Sequence, residues 1–156
     1  MTDAPENWDN RTRRLLGDER ADRLNQACIL IVGVGGVGGY AAEMLARSGI
    51  GRLVIIDADN VAESNINRQL IATASTVGEP KVILFAERFH DINPRASIEA
   101  RMEFVTSENV ESLFDGHTYD YVIDAIDTVA PKVALLEHCL LHNIPVISSM
   151  GAGGRV

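Results

Sequence analysis

Short unbroken apolar runs alternate along this chain with stretches of helical spacing, and that rhythm predicts the fold. Cys28 to Val32 (CILIV) is continuously apolar, as a parallel strand covered on both faces must be. A glycine turn follows, then a helix predicted from about Gly36 to Arg47, which Ser48-Gly49 stops. Leu53 to Ile56 (LVII) forms a second strand that ends at Asp57. After an irregular polar stretch, Pro80 stands where a helix can begin, because its missing N–H is not needed there. That helix runs to about Ile92, and Asn93-Pro94 ends it. Ser97 to Phe104 reads as a third strand, and Ser107 to Phe114 as a short helix with Ser107 as its N-cap. Tyr119 to Ile126 contains a fourth strand, Pro131 to Leu141 lies in another helix, and Ile144 to Ser148 (IPVIS) is the fifth strand.

Strands and helices in alternation, with the strands apolar, imply an α/β fold with a doubly wound parallel sheet of the Rossmann-like kind. Right-handed crossovers then favour the strand order 3-2-1-4-5. No internal repeat, low-complexity tract or linker divides residues 1–156, so the expectation is one domain.

Composition narrows the class. No stretch approaches the ~18 continuous apolar residues of a membrane span. The polar N-terminus has no apolar core of the kind that directs secretion. Cys28 and Cys139 form no CxxC pair and sit in apolar segments, so both read as small core residues. A cytoplasmic location is the expectation. The net charge of −8 argues against this chain alone holding nucleic acid by neutralising phosphates. His138 and His142 lie four apart on one predicted helix but lack an acidic third ligand there, so they read as a packed or solvated pair.

Gly33, Gly35 and Gly38 spell GxGxxG directly after the first strand and open the first helix. Gly33 permits the tight turn, Gly35 lets the backbone approach a phosphate, and Gly38 lets helix and strand pack closely. The helix N-terminus adds unpaired N–H groups and a positive dipole end. Asp57, about twenty residues on, is placed to accept from ribose hydroxyls. These features alone fit NAD as well as ATP.

Three later segments favour a triphosphate. They are Asn65-Ile66-Asn67-Arg68-Gln69, Gly78-Glu79-Pro80-Lys81, and Asp124-Ala125-Ile126-Asp127. The last falls at the carboxyl end of the fourth strand, the sheet edge where open α/β folds bind ligands. A triphosphate carries more charge than a dinucleotide and calls for cationic side chains with Mg²⁺. A carboxylate such as Asp127 suits that oxygen-seeking ion. Singly, Arg68 also reads as a surface charge and Asp127 as the N-cap of the following helix; their joint occurrence carries the inference.

With these residues in view, GVGGVGGYAAEMLARSGIGRLVIIDADNV, SNINRQL, TVGEPKV and DYVIDAID resemble the MoeB/ThiF/HesA group of ubiquitin-activating-like adenylating enzymes. Pro131-Lys132 and Gly151-Ala152-Gly153-Gly154 resemble the branch that dehydrates a threonylcarbamoyl-modified adenosine in tRNA, rather than the sulfur-carrier activators. The resemblance implies an ATP-dependent adenylation of a carboxylate, with ATP and Mg²⁺ as cofactors. It implies that Gly33, Gly35, Gly36 and Gly38 bind the nucleotide with Asp57 and Asp59. Asn65, Arg68 and Gln69 would line the phosphates, Lys81 would contact the triphosphate, and Asp127 would bind the metal. Arg11 falls where the group carries an arginine donated across a dimer interface, and Arg13 or Arg14 are alternatives. The implied partners are tRNA, a second copy of the chain and a sulfur-transfer protein. Members of the group usually continue beyond the point where this chain stops, which implies the N-terminal part of a longer protein.

Overall fold

A computed structural model describes residues 7–150. The Gly151–Gly154 run therefore lies outside the described residues. Two short helices, α1 (Asn10–Leu16) and α2 (Asp18–Gln26), precede the alternating part and were not legible in the apolar pattern. There follow β1 (Cys28–Val32), α3 (Gly38–Ser48), β2 (Arg52–Ile56), α4 (Lys81–Ile92), β3 (Ser97–Arg101), β4 (Tyr121–Asp124), α5 (Val129–Leu141) and β5 (Val146–Ser148). All strand pairs are parallel, and the sheet order is β3-β2-β1-β4-β5, as predicted.

The continuous apolar runs are explained by two cores. Ile29, Ile31, Leu53 and Ile55 face one side, packed with Val82, Phe85 and Phe89 of α4. Leu30, Val32, Val54 and Ile56 face the other, packed with Leu113, Tyr119, Leu135 and Cys139. Successive strand residues point to opposite faces, so a strand buried on both sides leaves no polar position to alternate. Each fully buried Leu, Ile or Phe contributes roughly 1.5–3 kcal/mol by leaving water.

Several boundaries differ from expectation, among them β5, which begins at Val146 rather than Ile144. β3 ends at Arg101, because its neighbour β2 ends opposite, at Ile56. The remaining residues of the expected strand, Met102 to Phe104, leave the sheet. The helix expected from Ser107 is instead a turn followed by a single 3-10 turn, Glu111–Phe114. Thr106 is the capping residue there: its Oγ1 accepts from the Glu108 and Asn109 amides, and Asn109 Oδ1 accepts from the Thr106 amide. Finally, α5 starts two residues before Pro131, with Thr128 rather than Asp127 at its N-cap.

No helix among the described residues is long and apolar enough to cross a membrane.

Candidate nucleotide site

The carboxyl ends of β1, β2 and β4 open into a cleft of about 720 Å³, a volume suited to a nucleotide-sized ligand. The glycine turn forms its floor. Gly33 has φ +88°, and a Cβ there would stand 2.7 Å from the Ala125 carbonyl oxygen, so only glycine makes this turn. A Cβ on Gly38 would fall 1.8 Å from the Gly33 oxygen. Gly38 thus lets α3 sit against the turn and stands behind the cleft wall rather than on it. Gly35 and Gly36 line the cleft.

Asp57 lines the cleft with both oxygens already engaged, Oδ2 by the Val34 amide and Oδ1 by the Asp59 amide, each at 2.8 Å. It ties the end of β2 to the glycine turn, and each oxygen keeps a lone pair for a ribose hydroxyl. Asp59 is exposed and accepts from the buried Lys81 Nζ at 2.8 Å. Lys81 has no other side-chain partner among the described residues, so two of its three N–H donors remain for a ligand.

Arg68 reaches the cleft, braced by the Ser64 carbonyl (2.9 Å) and Asn67 Oδ1 (3.0 Å). Gln69 also lines it, and its Oε1 is buried without a hydrogen-bond partner. An orphaned buried acceptor is rare in a folded protein and marks a place where a ligand can complete the bonding. Asn65 does not line the cleft. It is buried, and its Oδ1 accepts from the Ala62 amide at 3.1 Å, which pins the turn that carries Arg68 and Gln69.

Asp127 lines the opposite wall, is exposed, and makes no side-chain hydrogen bond among the described residues. Arg11 is exposed on α1 and does not line the cleft of its own chain. Arg13 is held within its own chain by Asp9 (2.9 Å), Asp22 (3.0 Å) and Asp18 (3.3 Å). His138 stacks on Phe114 with ring centres 4.1 Å apart, so it packs against an aromatic ring.

The cleft also contains residues that the motifs did not single out. Glu103, Phe104 and Val105, beyond the shortened β3, line it, as do Ile126 and Met150. Their signal was an apolar tail after a strand, which sequence alone reads as more strand. Four carboxylates (Asp57, Asp59, Glu103, Asp127) and two cations (Arg68, Lys81) line the cleft. Among the described residues, no three His, Cys, Asp or Glu side chains converge as a metal cage.

Comparison with known proteins bears directly on this geometry. A family model described as the ThiF family matches residues 9–155. The chain belongs to the ThiF family. It is 47% identical over 146 residues to a tRNA threonylcarbamoyladenosine dehydratase of Bacillus subtilis (strain 168), covering 94% of this chain and 57% of that protein. The dehydratase of Escherichia coli (strain K12) is 44% identical over 145 residues, covering 93% and 54%. The chain thus spans about half the length of these relatives. A crystal structure of the E. coli enzyme, TcdA, in complex with ATP superposes with TM-score 0.91 at 43% identity, covering 95% of this chain and 60% of that one. E. coli MccB, at 22% identity and TM-score 0.82, shares the fold. For this ThiF-family chain, the resemblance read from the motifs and the sheet order both stand.

Proposed function

We propose that this chain is the ATP-binding part of an enzyme that adenylates a carboxylate, and that the carboxylate belongs to threonylcarbamoyladenosine in tRNA. The observation that carries the reading is convergence. Arg68, Gln69, Lys81 and Asp127 come from three separate segments and line the cleft floored by the glycine turn. Similarity to the dehydratases supports the choice of substrate.

The chemistry is the one that similarity to the dehydratases implies. A substrate carboxylate oxygen attacks the α-phosphorus of ATP, the bond to the bridging oxygen breaks, and pyrophosphate leaves. A nitrogen of the same threonylcarbamoyl group then displaces AMP from the acyl carbon, loses its proton, and closes a ring. Such a step is catalysed mainly by positioning and charge stabilisation. The glycine-turn amides and the N-terminus of α3 receive phosphate oxygens. Lys81 exchanges Asp59 for the phosphates, and Arg68 adds a second cation. Gln69 Oε1 accepts from a ligand hydroxyl or amide, and Asp57 and Asp59 take the ribose.

Four carboxylates facing a triphosphate require a counter-charge, and Asp127 is the unengaged carboxylate opposite the cations. Asp127 would hold Mg²⁺, an oxygen-seeking ion, which would supply positive charge to the leaving pyrophosphate. A homodimer in which Arg11 reaches the other copy's cleft, a sulfur-transfer partner and a cytoplasmic location belong to the same reading. Because this chain is acidic, basic contacts to tRNA come from beyond it or from a partner.

Mass spectrometry of tRNA nucleosides from cells lacking the gene tests the substrate. The cyclic modified adenosine disappears and the open form accumulates, and the wild-type gene restores it where a Lys81→Met gene does not. An unchanged nucleoside profile refutes the tRNA assignment.

A further inference from the structure

Behind the Asp127 wall lies a buried charge cluster that the site does not use directly. Lys132, near the start of α5, does not line the cleft. Its Nζ donates to Asp124 Oδ2, to the Ser149 carbonyl (2.9 Å) and to Ser148 Oγ (3.3 Å), so all three donors are engaged. Asp124 is fully buried at the end of β4; its Oδ1 accepts from the Ile126 amide at 3.0 Å, and its Oδ2 also accepts from Ser148 Oγ. One ammonium therefore joins the ends of β4 and β5 to α5. The residues that follow those ends, 125–128 on one side and Ser149 and Met150 on the other, line the cleft.

Among the described residues Asp127 has no side-chain partner, so its place is set by its backbone. The nearest side-chain restraint on that backbone is the bond from the Ile126 amide to Asp124, and Asp124 is held in turn by Lys132. We propose that Lys132 is a positioning residue, acting through Asp124 to fix the Asp127 carboxylate where it receives Mg²⁺ on the triphosphate. The inference rests on reading the cleft as a Mg²⁺–ATP site. Groups that orient a metal's ligands, without touching the metal, commonly control its affinity.

Calorimetric titration of the whole protein with ATP, in excess Mg²⁺ and in EDTA, tests this. In the wild type, Mg²⁺ strengthens ATP binding. In Lys132→Met that gain shrinks by about tenfold or more, while metal-free affinity stays within about twofold of wild type. Asp127→Asn shows the same loss, and the double variant Asp127→Asn/Lys132→Met shows no further loss, because the two residues act in series. If Lys132→Met does not fold, Asp124→Asn/Lys132→Met removes both buried charges and must show the same shrunken gain.

A full Mg²⁺ gain in the lysine variant beside a lost gain in Asp127→Asn overturns the positioning role and leaves the site intact. Additive losses, or an equal fall in metal-free affinity, overturn it as well. A wild type that binds no ATP, or an Asp127→Asn protein with the full gain, instead sinks the site reading and the proposal with it.

Discussion

The first turns of α4 and α5 each bury a lysine beside the same sheet edge, and the two differ in what their ammonium groups touch. Lys81 is 3% exposed and, among the described residues, its ammonium holds one partner, the exposed Asp59. Lys132 is 7% exposed and spends every donor on the protein itself. Burial does not separate them; spare hydrogen-bonding capacity does. A buried cation with unused donors facing a cleft is poised for an anionic ligand, whereas a saturated one holds the wall together. In the cleft the same logic marks Gln69 Oε1 and Asp127 as groups awaiting a ligand, and marks Asn65 as a brace.

The largest effect expected from this contrast is on stability. Lys132→Met leaves Asp124 buried without its counter-charge, which costs about 3–5 kcal/mol. Urea denaturation measures it, and Asp124→Asn/Lys132→Met recovers most of the loss. Equal stability of the single variant and wild type would erase the distinction between the two lysines.

Lys81→Met moves the other quantity. Pyrophosphate exchange falls by about 10²–10³-fold, as for other donors aimed at transition-state charge. The denaturation midpoint barely changes, because the lost pair with an exposed carboxylate is worth about 0–1 kcal/mol.

Glu43 on α3 offers a third buried charge, of opposite sign. Burial alone would raise its carboxyl pKa, yet hydrogen bonds from Arg88 and Arg47 hold it below the ordinary value. Its stabilisation is therefore full above the ordinary carboxylate range and is lost as pH falls through the depressed folded-state pKa. Glu43→Gln lowers stability by about 1.5–3 kcal/mol at neutral pH. The gap to wild type closes in acid, which denaturation curves from pH 7 down to the acid limb will show. A gap that persists unchanged in acid contradicts the charge assignment.

The smallest effect belongs to Asp59→Asn, which frees Lys81 of its resting partner. It changes folding stability by about 1 kcal/mol or less. A loss of the size expected for Lys132→Met would show that Asp59 and Lys81 are structural after all.

Much of this was legible before any coordinates. The strands β1 and β2 announced themselves because both faces are buried and nothing interrupts the apolar run. Gly33 and Gly38 were readable because a positive φ and a 1.8 Å approach admit no side chain. The rest depended on distances in space. Phe104 and Val105 continue an apolar strand pattern, and only the end of β2 tells where β3 must stop. Asn65 stands in the same short motif as Arg68, and nothing in its type says that its amide turns inward. Lys132 and Lys81 occupy similar sequence contexts, so only the count of partners distinguishes them. Of the residues in α1 and α2 only Ala21 is buried, too few to impose a helical apolar period.

The most direct trial of the account is a crystal structure of the protein with ATP and Mg²⁺. Lys81 Nζ is expected within about 3 Å of a phosphate oxygen, released from Asp59, with Arg68 on the same triphosphate and Asp127 on its metal. A nucleotide whose phosphates lie beyond the reach of these three side chains, with Lys81 still bound to Asp59, would contradict it.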